Sequence, residues 1–130
     1  TKENITVFGG EQTRPNIHIG DMVGVYEHFL DNYDLSSGSY NAGFENLSIL
    51  DIAHMVSEKL PAEILISDSI DRRSYRQNSD KLVATGFKRK FSVDDAIEEI
   101  IQQYHCGQLI ETDRCYTVRW LKNLLKENTL

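Results

Sequence analysis

Apolar positions along this chain follow two rhythms, one of period two and one near three and a half, and the switches between them mark out the elements. Ile5 to Phe8 is a β-branched and aromatic run broken by Gly9-Gly10, the pattern of a strand entering a turn. A second extended stretch is predicted from Thr13 to Ile19. There Pro15 biases Arg14 away from helical geometry, and Ile17 and Ile19 alternate with Asn16 and His18. Asp21 then reads as a helix N-cap, its carboxylate taking orphan amide protons. Behind it Met22, Val25, Tyr26 and Phe29 stand at helical spacing, and the helix is expected to end near Asn32. Asp34-Leu35-Ser36-Ser37-Gly38 is a loop by composition, and Gly38 to Gly43 is expected to form a short strand.

Ser48 with Asp51 three residues on is a capping box. The helix it opens carries Ile49, Ile52, Ala53, Val56 and Leu60 on one face and is stopped by Pro61. Glu63 to Ser67 is predicted as a strand. Ser92 and Asp95 form a second capping box, followed by the stripe Val93, Ala96, Ile97, Ile100, Ile101 and Tyr104. A last amphipathic helix is expected from about Thr117 to Glu127, with Val118, Leu121, Leu124 and Leu125 inward. Short strands alternating with about four helices predict an α+β domain with a small mixed sheet, not a complete doubly wound nucleotide fold. With no repeat and no linker-like stretch, residues 1–130 are read as a single domain.

Composition narrows the function class. The net charge is -6, which argues against a sequence-independent grip on nucleic acid, since that needs a broad basic face. No apolar run approaches a membrane span and no signal peptide opens the chain, so a cytoplasmic protein with no membrane contact is expected. Cys106 and Cys115 match no zinc spacing and read as reduced thiols. His18, His28, His54 and His105 are scattered without ligand spacing, so no metal site is assigned. The chain begins at Thr1 rather than Met, as a piece of something longer would.

Candidate chemistry is confined to two basic segments in an acidic chain. Gly9 to Asp21 delivers Arg14 from a glycine turn into an extended strand, and arginine presents a rigid fork of donors suited to phosphate. The plainer reading is a surface arginine paired with Glu11 or Asp21. Asp71-Arg72-Arg73-Ser74-Tyr75-Arg76-Gln77-Asn78 concentrates three arginines and a tyrosine, a set able to clamp a diphosphate and pack on a sugar. Its plainer reading is a solvated turn paired with Asp68 and Asp71. Lys88-Arg89-Lys90 reads as a solvated loop ahead of the Ser92 helix. Equally informative is what the chain lacks: it has no glycine-rich dinucleotide fingerprint after a strand and no Tyr-x-x-x-Lys.

Taken in order, these motifs resemble the extended short-chain dehydrogenase family of nucleotide-sugar epimerases and dehydratases. Phe8 to Asp21 is similar to that family's glycine turn, arginine, aliphatic-histidine-aliphatic and aspartate. Tyr40-Asn41-Ala42-Gly43 with Leu47 to Ala53 resembles its strand and capped helix. Asp71 to Lys81 resembles its arginine-and-tyrosine segment, which ends in a lysine starting a helix. Thr85-Gly86-Phe87 with Phe91 to Ile97 is similar to its late glycine-aromatic turn and capped helix. The match covers about residues 5 to 104.

The resemblance implies the smaller, substrate-binding lobe of an NAD(P)-dependent epimerase or dehydratase, with the N-terminal Rossmann domain absent. NAD or NADP and the catalytic tyrosine and lysine would belong to that missing domain, so this piece alone is expected to be inactive and to hold no cofactor and no catalytic residue. Its implied partners are a nucleotide-diphosphate sugar and its own N-terminal domain, with a homodimer left open. Carried over by position, Arg14 approaches the nucleotide's phosphates or ribose, and Arg73, Tyr75 and Arg76 lie on the substrate side. His18 and Asp21 fall at positions expected to be structural. The chain departs from the family at Asp68, where many members open the later segment with Arg-Pro-Gly, and Arg72, Arg73 or Arg76 would have to substitute. The alternative reading is a non-catalytic binding or regulatory module whose arginines take an anionic ligand or an acidic partner.

Overall fold

A computed structural model describes residues 4–35, 37–68, 73–110 and 112–127. The α+β character holds, with the mixed sheet resolved into two separate pairs of strands. Strand β1 (Asn4–Phe8) pairs in parallel with β4 (Glu63–Ser67), placing Ile5 opposite Ile64 and Val7 opposite Ile66. Strand β2 (Thr13–Asn16) pairs antiparallel with β3 (Glu45–Ser48), placing Arg14 opposite Leu47. Gly9 and Gly10 make the turn between β1 and β2 at φ 81° and 112°, a region that glycine enters without steric cost. A side chain at Gly10 would also meet Leu50 Cβ at 3.3 Å.

The chain forms two compact units. The first runs to Glu98. It holds helices α1 (Ile19–Asp31), α2 (Ile49–Lys59) and the short α3 (Asp80–Val83), together with the start of α4 (Val93–His105). Its buried apolar side chains are Val7, Ala53, Leu82, Phe87 and Ile97. Phe87 stacks on Phe44 at 5.8 Å and meets the His28 ring edge-on at 5.7 Å.

Both capping boxes form. Ser48 Oγ accepts from Asp51 N and the Asp51 carboxylate accepts from Ser48 N; Ser92 and Asp95 repeat the arrangement at α4. These hydrogen bonds, from the serine side chain first and its backbone second, hold both carboxyls below the ordinary 3.8. A depressed carboxylate contributes stability that is complete above its unfolded value and is lost as pH falls through its folded one. Asp51→Asn is therefore expected to flatten the fall in melting temperature below about pH 4. Thermal melts of wild type and variant from pH 5 to 2 check this; parallel curves would count against it.

Two expectations are corrected, one at α1 and one in the stretch before β3. Its N-cap is His18, whose Nδ1 accepts from Gly20 N at 3.0 Å while its ring stacks on Phe91 at 4.4 Å. Asp21 lies in the first turn instead, 2% exposed, and its two oxygens accept from the backbone N–H of Lys90 (2.9 Å) and Phe91 (3.1 Å). The carboxylate thus satisfies donors of a distant loop rather than those of its own helix. The expected strand at Gly38 to Gly43 does not form: Phe44 N reaches Asn16 O, Gly43 is held by Ser79, and regular pairing begins only at Glu45.

The second unit, from Glu99, contains the rest of α4, a 3-10 turn (Asp113–Cys115) and α5 (Thr117–Glu127). Helix α5 lies where the periodicity predicts it, but Val118, Leu121 and Leu125 are exposed and only Leu124 is half-buried. In α4, Ile100 and Tyr104 are likewise exposed. Cys106 and Cys115 are exposed free thiols. Among the described residues no helix is long and apolar enough to cross a membrane.

Candidate functional site

Residues 73–79 form neither helix nor strand, so their backbone groups need partners from outside any ladder. Polar side chains and neighbouring backbone supply several of them, and the segment's own serines add further ties. Thr13 N donates to Ser74 Oγ at 3.1 Å and Tyr75 N donates to Thr13 O at 3.0 Å, so the segment starts alongside β2. Further on, Gln77 N donates to Asn46 Oδ1 at 2.9 Å and Asn46 Nδ2 returns a bond to Gln77 O at 3.0 Å. Ser79, buried, accepts from Gly43 N and donates to Gly43 O, both at 3.0 Å.

This stitching brings Arg73 and Tyr75 to Arg14. The Arg14 guanidinium donates through Nη1 to Thr13 O at 2.9 Å and to Arg73 O. Its carbon lies 5.0 Å from the centroid of the Tyr75 ring, and that of Arg73 lies 5.8 Å from the same centroid. Both are within cation–π range. Two cations are thus gathered around one half-exposed ring, and their charge and donors are of the kind that suits an anion accepting several hydrogen bonds.

Arg76 is exposed, the next residue beyond the ring. Asp68, where the family resemblance is broken, is exposed just after β4. Asp71 and Arg72 lie outside the described residues. The run Lys88-Arg89-Lys90 is a loop tied down locally: Arg89 Nη1 pairs with Glu45 Oε2 at 3.2 Å and Lys90 N is held by Asp21. Asn46 and Ser74 were not singled out in the sequence. Their signal would have been short polar side chains facing a stretch with no regular hydrogen-bond pattern.

A groove of about 510 Å³ opens beside this segment. Met22, Val25, Tyr26 and Phe29 of α1 line one side; Tyr40, Asn41 and Gln77 contribute aromatic and amide groups. Phe29 and Tyr40 lie 4.7 Å apart, and Lys81 Nζ sits 4.2 Å over the Tyr40 ring while donating to Ser39 O. His28 Nε2 contacts Thr85 Oγ1 at 2.8 Å, a structural link between α1 and the turn before Phe87. Among the described residues no group of three or more His, Cys, Asp or Glu is placed to hold a metal.

No protein-family model matches the chain. Solved structures do. A GDP-mannoheptose C4 reductase from Campylobacter jejuni with NADP bound is 25% identical, at a TM-score of 0.63 over 79% of this chain and 32% of that one. A GDP-6-OMe-4-keto-L-xylo-heptose reductase from C. jejuni is 22% identical, at 0.70 over 81% and 34%. A GalE-like L-threonine dehydrogenase from Cupriavidus necator, in its holo form, is 18% identical, at 0.66 over 78% and 37%. The chain therefore spans about a third of the length of the proteins it matches.

Proposed function

We propose that this chain, whose fold is that of the C-terminal-like portion of extended short-chain dehydrogenase-type enzymes, is the substrate-recognition part of an NAD(P)-dependent enzyme acting on a nucleotide-diphosphate sugar. The observation that carries the reading is the meeting of Arg14 and Arg73, 59 positions apart, over Tyr75. A diphosphate offers several acceptor oxygens and more than one negative charge, and guanidinium forks satisfy both at fixed geometry. Arg14, Arg73, Tyr75 and Arg76 make up the ligand-facing set. Epimerisation, dehydration and reduction all share this recognition problem. The hydride chemistry belongs to a Rossmann domain that brings the cofactor and the catalytic tyrosine and lysine, which this chain does not carry. The setting is the cytoplasm, where both thiols stay reduced.

Calorimetric titration of the chain with a panel of nucleotide-diphosphate sugars, against NADP⁺ alone, tests the reading. At least one nucleotide sugar should bind about tenfold or more tighter than NADP⁺, a preference of about 1.4 kcal/mol. Micromolar NADP⁺ binding with no response to any nucleotide sugar would reverse the assignment.

Helix α1 supports the need for a partner domain. It turns Met22, Val25, Tyr26 and Phe29 toward the groove, while Ile19, Val23 and Leu30 are 70%, 50% and 79% exposed on the flank beside it. A helix whose apolar arc extends this far past the groove is normally covered there too, and exposed patches of this kind mark interfaces. The isolated chain should therefore self-associate through this face. Val23→Lys with Leu30→Glu should reduce that self-association in sedimentation velocity while leaving the melting temperature within about 2 °C, because exposed substitutions cost little. Unchanged self-association would remove α1 as the docking face.

A further inference from the structure

We infer that Tyr75 is a positioning residue, whose ring holds the Arg14 and Arg73 guanidiniums in the arrangement that receives a diphosphate. This rests on the ligand reading above and adds to it a division of labour within the site. Two guanidiniums repel each other, and long arginine side chains have many rotamers to lose. Something must offset both before a ligand arrives, or the ligand bears the cost of ordering them. The negative face of an aromatic ring does this for cations within about 6 Å, and both guanidinium carbons lie inside that range of Tyr75, at 5.0 and 5.8 Å.

The backbone ties the same residues together. Thr13 O accepts from Tyr75 N and also from Arg14 Nη1, so one carbonyl sets the position of the ring's own backbone and of the first guanidinium. Arg73 O accepts from Arg14 Nη1 as well. No hydrogen bond of the Tyr75 hydroxyl to the described residues accompanies the ring contacts, so the ring carries the effect.

The experiment uses the chain itself with inorganic pyrophosphate as probe, read by calorimetry and by the arginine Nε–Hε resonances. Tyr75→Phe keeps the ring and should bind within about twofold of wild type. Tyr75→Leu and Tyr75→Gln, two independent ring-less variants, should bind about five- to thirtyfold more weakly, the range that two surface cation–π contacts support. They should also shift the Arg14 and Arg73 resonances, which Tyr75→Phe leaves in place. In an Arg14→Ala, Arg73→Ala background, removing the ring should change nothing further. Equal losses in Tyr75→Phe and Tyr75→Leu would mean that the hydroxyl meets the ligand directly and would overturn the proposal. So would ring-less variants that bind as wild type. Absence of pyrophosphate binding by the wild-type chain would instead overturn the diphosphate reading itself, and this inference with it.

Discussion

Asp21→Ala is expected to lower the unfolding free energy by about 3–6 kcal/mol, since hydrogen bonds to a charged group contribute about 1.5–3 kcal/mol each. The carboxylate is 2% exposed and its two oxygens accept from Lys90 N and Phe91 N. Alanine would leave both N–H groups without their acceptor and a void in the first turn of α1. The loss also spreads, because the loop so anchored supplies Phe91 to the His18 ring and Arg89 to Glu45, whose carboxylate also accepts from Val93 N at the start of α4. A loss of this size is a large part of the 5–15 kcal/mol typical of a whole domain. Asp21→Asn keeps one oxygen acceptor and should fall between the two. Chemical denaturation with unchanged slope measures the effect, and a loss under about 1 kcal/mol would show that the loop finds other acceptors.

Arg14→Ala and Arg73→Ala are each expected to weaken nucleotide-sugar binding by about ten- to a hundredfold. The figure follows from about 1.5–3 kcal/mol per charged hydrogen bond and 1.4 kcal/mol per decade of affinity. Arg14→Lys separates charge from geometry, because an ammonium keeps the charge without the planar fork; it should recover only part of the loss. Folding should change less than binding, since Arg73 is exposed and the Arg73 carbonyl that Arg14 serves sits at a surface where water can replace it. Unchanged affinity in both variants, together with a lowered unfolding midpoint, would identify the arginines as surface struts.

Local chemistry was the legible part of this fold. The serine-aspartate pairs at Ser48 and Ser92 announce helix starts because both partners lie within one turn of each other. The β-branched run at Ile5 and the apolar centre of Glu63 to Ser67 became strands because each found the other. Gly38 to Gly43 carries a strand-like sequence without a partner strand among the described residues, and a strand is a property of a pair. Asp21 departs from the local pattern for a related reason. Its position suits an N-cap, but the donors it serves are 69 and 70 residues away, beyond any local pattern. Periodicity placed α5 correctly, yet it reports only which face is apolar, and the exposure of Val118, Leu121 and Leu125 depends on what lies opposite. At the candidate site, the types and order of Arg14, Arg73 and Tyr75 marked them out. Their convergence required Ser74, Asn46 and Ser79, whose roles appear only once the 73–79 segment has to satisfy its backbone.

The two strand pairs are nested like brackets, and loop entropy favours closing the inner pair before the outer one. Thr13 joins Ser48 inside a contour that Phe8 and Ser67 later enclose. Closing a flexible loop costs about 0.6 kcal/mol more for each doubling of its length, so the inner bracket has the smaller entropic barrier. Once it is shut, the intervening chain no longer wanders. What separates β1 from β4 is then the short glycine turn on one side and a capped, rod-like α2 on the other. The parallel pair, which alone would have to search across most of the first unit, inherits a nearly finished frame. The Arg14 site sits on the inner bracket, the closure that loop entropy favours first.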